Sequence, residues 1–205
     1  MSEEAASFRE WIARPQVLVG LSALVLSLCG LFISIYETSL VREEQRASVW
    51  PHVEMGVSFT DRRIRFHVRN TGVGPARIRT AAVSYRGETL GGWGDLLRSV
   101  SEGPVELSGR TFNLLNGRVL PPNSPREAIF EIDVDDVESP EGLIGTLRQV
   151  TLDGSVDVTA CYCSVYGECW RSSLRDLLAR SRGEATSAPA TRRVEGCDDA
   201  ETSGI

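Results

Sequence analysis

The pattern of apolar and polar positions begins with one long apolar stretch near the start of the chain. Residues 16–36 carry no charge, and Arg14 and Glu37 bracket them. A helix of this length crosses a hydrocarbon layer about 30 Å thick. A cleaved signal peptide has a shorter apolar region, usually about 7–15 residues, that ends at a small-residue site. We therefore predict a retained transmembrane helix over 16–36, preceded by a polar tail at 1–15.

Small residues recur at spacings of three and four within this stretch. They are Gly20, Ala23, Ser27, Gly30 and Ser34. At this spacing they share one stripe of a helix. In lipid, small residues let two helix backbones approach closely, and this packing drives association. The stripe favours self-association of the helix, although Gly, Ala and Ser are common in membrane helices in general.

The helical pattern continues beyond the apolar stretch. Residues 37–50 contain no Gly or Pro and are rich in helix-forming residues. Pro51 then disfavours helical geometry in the residue before it. We predict that residues 37–50 form a helical stalk that holds the next domain away from the membrane.

From residue 53 the period changes from helical to alternating. The alternating apolar positions are Val53, Met55, Val57, Phe59, Ile64, Phe66 and Val68. Asp61 and Arg62 separate the two runs, which is typical of a β-hairpin with one buried face. The cluster of turn-forming residues at 70–75 precedes a third predicted strand at 76–85.

The remaining segments predict a mainly β domain. Trp93, Leu96, Leu97 and Val100 have helical spacing, and a second short helix is predicted at 140–150. The other predicted strands lie at 111–115, 118–120 and 127–134, with a strand pair within 151–172. We expect residues 51–175 to form an antiparallel β-sandwich with one or two short helices. After a short helix within 171–182, the small and polar composition of 176–205 predicts a disordered tail.

One segment carries a family resemblance. The stretch RFHVRNTGVGPARI, residues 65–78, resembles the strand–Asn-x-Gly–strand corner of bacterial immunoglobulin-like adhesion-type sandwiches, including the CARDB group. Residues 48–76 also resemble uncharacterised bacterial proteins that have one membrane helix and a β-domain. The resemblance implies a β-sandwich, but it implies no activity or ligand because this architecture hosts many functions.

The cysteines near the chain's last predicted strands leave three interpretations open. If the loop between the strands has three residues, with Gly167 in the left-handed conformation, Cys163 lies opposite Cys169. If the loop has two residues, Cys163 faces Trp170 instead. The candidate Cys163–Cys169 disulfide suits an oxidising compartment. A metal site and buried free thiols are the alternatives, although Cys161, Cys163 and Cys169 supply only three ligands. The other two cysteines, Cys29 and Cys197, fall in the membrane stretch and the tail.

Composition and motifs exclude several function classes. The chain has 205 residues and a net charge of −6, and all 22 of its basic residues are arginine. The arginine usage suggests a GC-rich bacterial source, and the acidic balance gives no support for nucleic-acid binding. His52 and His67 lack partners in a recognised catalytic motif. The acids between 133 and 138 lack the glycine and spacing of a calcium loop. We predict no catalytic, cofactor-binding or metal-binding residues.

Location and function follow from the membrane helix. The number of nearby basic residues is equal on its two sides, with Arg9 and Arg14 before it and Arg42 and Arg46 after it. Basic residues therefore do not decide the orientation of the helix. The short tail and the candidate disulfide favour a cytoplasmic N terminus and an extracytoplasmic β-domain at the bacterial inner membrane. We expect a non-catalytic interaction module for a protein or envelope partner. The alternative is a membrane effector or signal-coupling subunit whose helix self-associates.

Overall fold

The computed structural model describes residues 15–101, 111–112, 115–133, 140–184 and 189–197. They belong to two compact units, one ending at Ala47 and the other beginning at Ser48. Several predictions fall partly or wholly on undescribed residues, among them the strands at 111–115 and 127–134 and the tail at 176–205, which are described only in part. The N-terminal tail lies outside the described residues except for Pro15, and so do the acids at 135, 136 and 138.

The described part of the first unit is one continuous helix. Helix α1 spans Pro15–Ala47, and none of its 33 residues is buried. At 1.5 Å per residue it is about 50 Å long. It is long and apolar enough to cross a membrane. The apolar segment and most of the predicted stalk are therefore one helix, which ends three residues before residue 50.

The second unit contains two antiparallel sheets, and the prediction of a long apolar helix followed by mainly antiparallel β structure is confirmed. The first sheet has the strand order β1-β2-β7-β5. The second has the order β10-β9-β8-β3-β4, with β6 also paired to β3. The strands are β1 (Val53–Phe59), β2 (Arg63–Asn70), β3 (Ala76–Tyr85), β4 (Glu88–Leu90), β5 (Thr111–Phe112), β6 (Val119–Leu120), β7 (Glu127–Asp133), β8 (Val156–Cys163), β9 (Cys169–Ser173) and β10 (Thr191–Val194).

Three short helices accompany the sheets. They are α2 (Trp93–Val100), α3 (Pro140–Leu152) and α4 (Leu174–Ser181). The amphipathic helix predicted at Trp93–Val100 and the short helix predicted at 140–150 are both confirmed within two residues. The ring of Trp93 stacks on Phe130 of β7 with 4.5 Å between centroids, and it also contacts Phe66 of β2 at 4.9 Å. Helix α2 therefore places the Trp93 ring against the buried aromatic side chains of the first sheet.

One hydrophobic core receives side chains from both sheets. The predicted hairpin is confirmed, because β1 pairs with β2 and the apolar positions Val53, Met55, Ile64, Phe66 and Val68 are buried. The second sheet and helices α2 and α3 add to the same cluster. The alternation of apolar positions thus translates directly into one buried face for each of these strands.

The end of the chain differs from the sequence-based expectation. Residues 189–197 do not form a disordered tail, because β10 pairs with β9 in antiparallel register. Helix α4 (Leu174–Ser181) confirms the short helix predicted within 171–182. Strand β10 is short and polar, and backbone hydrogen bonds rather than an apolar face hold it, so its sequence gives no periodic signal. The β-unit therefore extends to Cys197.

Candidate functional site

The turn between β8 and β9 sets the positions of two cysteines. The N–H of Ser164 donates to the carbonyl of Glu168 at 2.8 Å, which leaves a three-residue loop that ends at Gly167. Gly167 has a φ of 80°, in the left-handed region that suits glycine. Cys163 is consequently paired across the strands with Cys169, and a disulfide of 2.08 Å joins their sulfurs.

A second disulfide lies beside the first. It joins Cys161 of β8 to Cys197 over 36 residues, with an S–S distance of 2.05 Å. Residues 161 and 163 lie two apart in a strand, so their side chains lie on the same face. The Sγ atoms of Cys163 and Cys197 are 3.7 Å apart. All four residues are buried in a cluster that also includes Val194.

Sequence reasoning missed this second pair because it assigned Cys197 to a tail. The even number of cysteines outside the apolar helix was the available signal. The Sγ atoms of Cys163, Cys169 and Cys197 lie within 4.8 Å of one another. The disulfide to Cys197 brings Cys161 beside them. Metal binding needs thiolates, and in this arrangement the four sulfurs are bonded in pairs.

Cys29 is the free cysteine of the described residues, and it is exposed on α1.

A buried polar network joins β1 to the second sheet. The N–H of Val53 donates to the hydroxyl of Tyr162 at 3.2 Å, and the hydroxyl of Ser172 donates to the carbonyl of Val53 at 2.8 Å. The hydroxyls of Ser172 and Thr191 lie 2.8 Å apart. Burial raises the pKa of Tyr162, so its hydroxyl stays protonated at neutral pH. The network brings residues from β1, β8, β9 and β10 together.

A cavity of about 200 Å³ adjoins this network. Its walls are His52, Val53, Glu54, Met55, Ser172, Ser173, Leu177, Arg180, Pro189, Ala190 and Thr191. The buried Nδ1 atom of His52 has no hydrogen-bond partner among the described residues. The Nε2 atom of His52 lies 3.8 Å from a carboxylate oxygen of Glu54. The cavity therefore combines apolar walls with a histidine, hydroxyls and an arginine, which suits a small polar group or a side chain.

Asp157 fixes the helix that borders this cavity. Its carboxylate accepts hydrogen bonds from the hydroxyl of Ser173 at 3.0 Å and from the N–H of Arg175 at 2.9 Å. The Ser173 hydroxyl also accepts from the N–H of Asp176 and caps α4. Burial raises the pKa of Asp157. Both Asp157 and Ser173 are thus engaged in holding the start of α4.

The Asn-x-Gly corner predicted as a turn is a hydrogen-bonding centre. Asn70 is fully buried, and its Oδ1 accepts from the N–H groups of His52 and Gly72. Its Nδ2 donates to the carbonyls of Gly74 and Leu120. All the hydrogen-bonding capacity of one side-chain amide is therefore used to join three chain segments.

The two glycines of this corner make room for the chain that follows α1. A Cβ at Gly72 would lie 2.3 Å from the backbone nitrogen of His52, and a Cβ at Gly74 would lie 1.8 Å from the carbonyl oxygen of Val49. No side chain fits at such distances. The N–H groups of Val73 and Gly74 both donate to the carbonyl of Trp50. The close approach of the backbone therefore explains both glycines, and no bound ligand is needed to explain them.

His67 lies on a charged face of the first sheet. Arg63 and Arg65 of β2 form ion pairs with Glu131 of β7 at 3.0 and 2.7 Å. The His67 ring lies across Gly56 of β1, where a Cβ would be 2.5 Å from its Nε2. Burial and nearby arginines lower the pKa of His67, which keeps the ring neutral at pH 7. The arrangement is a cross-strand ladder of charges and gives His67 a packing role.

The small-residue stripe lies on exposed helix. Gly20, Ala23, Ser27, Gly30 and Ser34 are all exposed in α1. A Cβ at Gly20 or Gly30 would meet nothing within 4 Å. The stripe is therefore exposed along the described part of α1.

With this geometry in hand, comparisons with known proteins add no identification. No protein-family model matches the chain, and no curated protein matches it either.

Proposed function

We propose that this protein is a membrane-anchored, non-catalytic interaction module of a bacterial inner membrane. Residues 16–36 of α1 span the bilayer, and the β-unit binds a protein or envelope component. The observation that carries the proposal is α1 itself, which is strongly apolar and has no buried residue. A soluble helix of this composition would bury that surface, since exposed apolar area of this size is unfavourable in water.

The two disulfides support an extracytoplasmic β-unit. Disulfides persist in oxidising compartments such as the bacterial periplasm, whereas cytosolic thiols stay reduced. Four buried cysteines joined as two pairs fit the first environment. The two sheets around one core also support a β-sandwich related to the immunoglobulin-like type.

The cavity beside Tyr162 supports binding rather than catalysis. The hydroxyl of Ser172 donates to the backbone of β1, and that of Ser173 donates to Asp157. These hydroxyls therefore hold the fold together. The buried Nδ1 of His52 is a polar atom that an incoming hydrogen-bond partner would satisfy.

The experiment places a photoreactive residue in the cavity wall. Ala190 lines the cavity, and Asp61 lies in the exposed turn at the far end of β1. We expect a discrete crosslinked adduct in intact cells when the photoreactive residue replaces Ala190, and none when it replaces Asp61. Equal adducts at both positions, or none at residue 190, would count against binding at this cavity.

A second candidate function is a signal-coupling subunit in which α1 pairs with another copy. The observation that favours it is the open backbone surface at Gly20 and Gly30 within the exposed stripe. Small residues at an interface allow close packing of two membrane helices. One molecule could combine both functions. Substitutions at Ser27 and Gly30 test self-association of the helix without changing the β-unit.

A further inference from the structure

We propose that the two disulfides form one thiol–disulfide exchange site, which accepts a small-molecule thiol at Cys169 and relays the exchange to Cys197. The proposal goes beyond partner binding and does not depend on it. It rests on the contact between the disulfides, in which the Sγ atoms of Cys163 and Cys197 are 3.7 Å apart. Two disulfides that only crosslinked the fold would not need to place their sulfur atoms in contact with each other.

The entry point is an open depression next to the β8–β9 turn, with a volume of about 500 Å³. Its walls are Tyr166, Gly167, Glu168, Cys169, Arg193, Val194 and Glu195. Cys169 is the cysteine that lines it, so its sulfur is the one a small thiol approaches. Arg193 stands in the same wall, where its guanidinium donates to the carboxylate of Glu168 at 2.8 Å.

The first step opens the Cys163–Cys169 bond. A small-molecule thiolate attacks the Sγ of Cys169, and a new mixed disulfide forms there. The bond to Cys163 breaks, and its electron pair leaves with the Cys163 sulfur as a thiolate. Such exchange is the general route by which disulfides rearrange.

The second step transfers the exchange to the other disulfide. The Cys163 thiolate attacks the nearby Sγ of Cys197, so that a Cys163–Cys197 bond forms. The Cys161–Cys197 bond breaks, and Cys161 leaves as a thiolate. One disulfide forms and one breaks, so this step needs no oxidant or reductant. The covalent attachment of Cys197 moves from Cys161 to Cys163, while the chain end stays bonded to β8.

A matched pair of variants tests the relay without relying on access from solvent. Cys169→Ser and Cys163→Ser each remove the same disulfide, and both are made in the full chain in detergent micelles. Only Cys169→Ser leaves the thiol of Cys163 next to Cys197. We expect alkylation of Cys161 to be about tenfold greater in Cys169→Ser than in Cys163→Ser, because the relay runs through the Cys163 sulfur, which contacts Cys197 at 3.7 Å. The Cys169 thiol that remains in Cys163→Ser lies within 4.8 Å of Cys197 and controls for mere proximity.

The sequence allows the products to be assigned. Tyr162 separates Cys161 from Cys163, and Tyr166 separates Cys163 from Cys169, so cleavage after aromatic residues followed by mass spectrometry resolves all three. Equal alkylation of Cys161 in the two variants would overturn the relay. Retention of the Cys161–Cys197 bond as the sole disulfide in Cys169→Ser would also overturn it.

A measurement on the unmodified chain covers the case in which both variants fail to fold. Limiting 2-mercaptoethanol is added without oxygen, and the reaction is stopped with acid before alkylation and mapping. We expect a Cys163–Cys197 linkage together with a free Cys161. A free Cys163 with an intact Cys161–Cys197 bond would show that the two disulfides exchange independently and would refute the proposal.

Discussion

The side chain of Asn70 accepts a hydrogen bond from the backbone N–H of His52 at 3.1 Å, which ties the end of β2 to the segment that enters β1. The same oxygen accepts from the N–H of Gly72. The Asn-x-Gly corner therefore sets where the β-unit begins. It does so through an amide that both accepts and donates hydrogen bonds, which a side chain of similar size without an amide would not reproduce.

We expect Asn70→Ala to destabilise the β-unit by about 3–5 kcal/mol, because it leaves several buried backbone groups without partners. Asn116→Ala is the matched control. The Oδ1 of Asn116 accepts one hydrogen bond, from the N–H of Ala81, in a partly buried position. Its loss should reduce the free energy of unfolding by about 1 kcal/mol. Urea unfolding measures both, and equal losses would show that Asn70 is not the centre of the corner.

The buried carboxyl of Asp157 predicts a pH dependence of stability. Because burial raises its pKa in the folded state, the native protein binds more protons than the unfolded chain between the two pKa values. The contribution of Asp157 to stability is therefore fully present below the unfolded pKa of about 3.9 and falls as pH rises through the raised value. Asp157→Asn removes this titration.

Urea unfolding of the wild-type and Asp157→Asn proteins across acidic pH checks the sign. The free energy of unfolding of the wild type, minus that of the variant, should fall as pH rises and then become constant. Taking this difference cancels groups with the opposite shift, such as Glu131, whose pKa Arg65 lowers. A difference that rises with pH would contradict the assignment.

The order at the chain's end predicts where a stable fragment stops. A fragment of residues 48–197 retains β10 and both disulfides, whereas 48–175 loses β10, most of α4 and the partner of Cys161. We expect both fragments to give a β-rich circular dichroism spectrum under native conditions. Loss of a disulfide typically costs about 2–4 kcal/mol, so the shorter fragment should unfold at lower urea concentration. Equal midpoints would show that the last strand adds no stability.

The small-residue stripe predicts self-association of α1 in lipid. Replacing Ser27 and Gly30 with leucine should abolish dimerisation in a membrane reporter assay, because bulky side chains keep the backbones apart. Ser22→Leu makes the same kind of change off the stripe and should leave dimerisation near the wild-type level. If the wild-type helix does not dimerise, or if Ser22→Leu is equally disruptive, the stripe reflects composition alone.

The elements that the sequence predicted well are those with a strong local period. The long helix, the β1–β2 hairpin and the helix at Trp93 each carry an apolar spacing that only one type of structure buries. The turn at Gly167 was also within reach, because two loop lengths were plausible and each gave a definite cross-strand register for Cys163.

The features that the sequence did not predict depend on long-range pairing. Strand β10 has no apolar face, and its place follows from β9 and from a disulfide that joins Cys197 to Cys161 across 36 residues. Nothing in local spacing specifies such a partner. The corner at Asn70 was predicted as a turn, but its side chain also donates a hydrogen bond to the carbonyl of Leu120. These two residues are 50 positions apart in the sequence, so the bond is visible only in the folded chain.

The most direct test of the account is the side of the membrane on which the β-unit lies. In a Cys29→Ser chain, the four remaining cysteines are paired in disulfides. Asp61→Cys then adds one thiol in an exposed turn of the β-unit, and Ser2→Cys adds one in the N-terminal tail instead. Intact spheroplasts are treated with a membrane-impermeant maleimide. We predict that Asp61→Cys is labelled without permeabilisation, whereas Ser2→Cys is labelled only after it. Labelling of Ser2→Cys alone in intact spheroplasts would contradict the account, since it would place the β-unit and its disulfides in the cytoplasm.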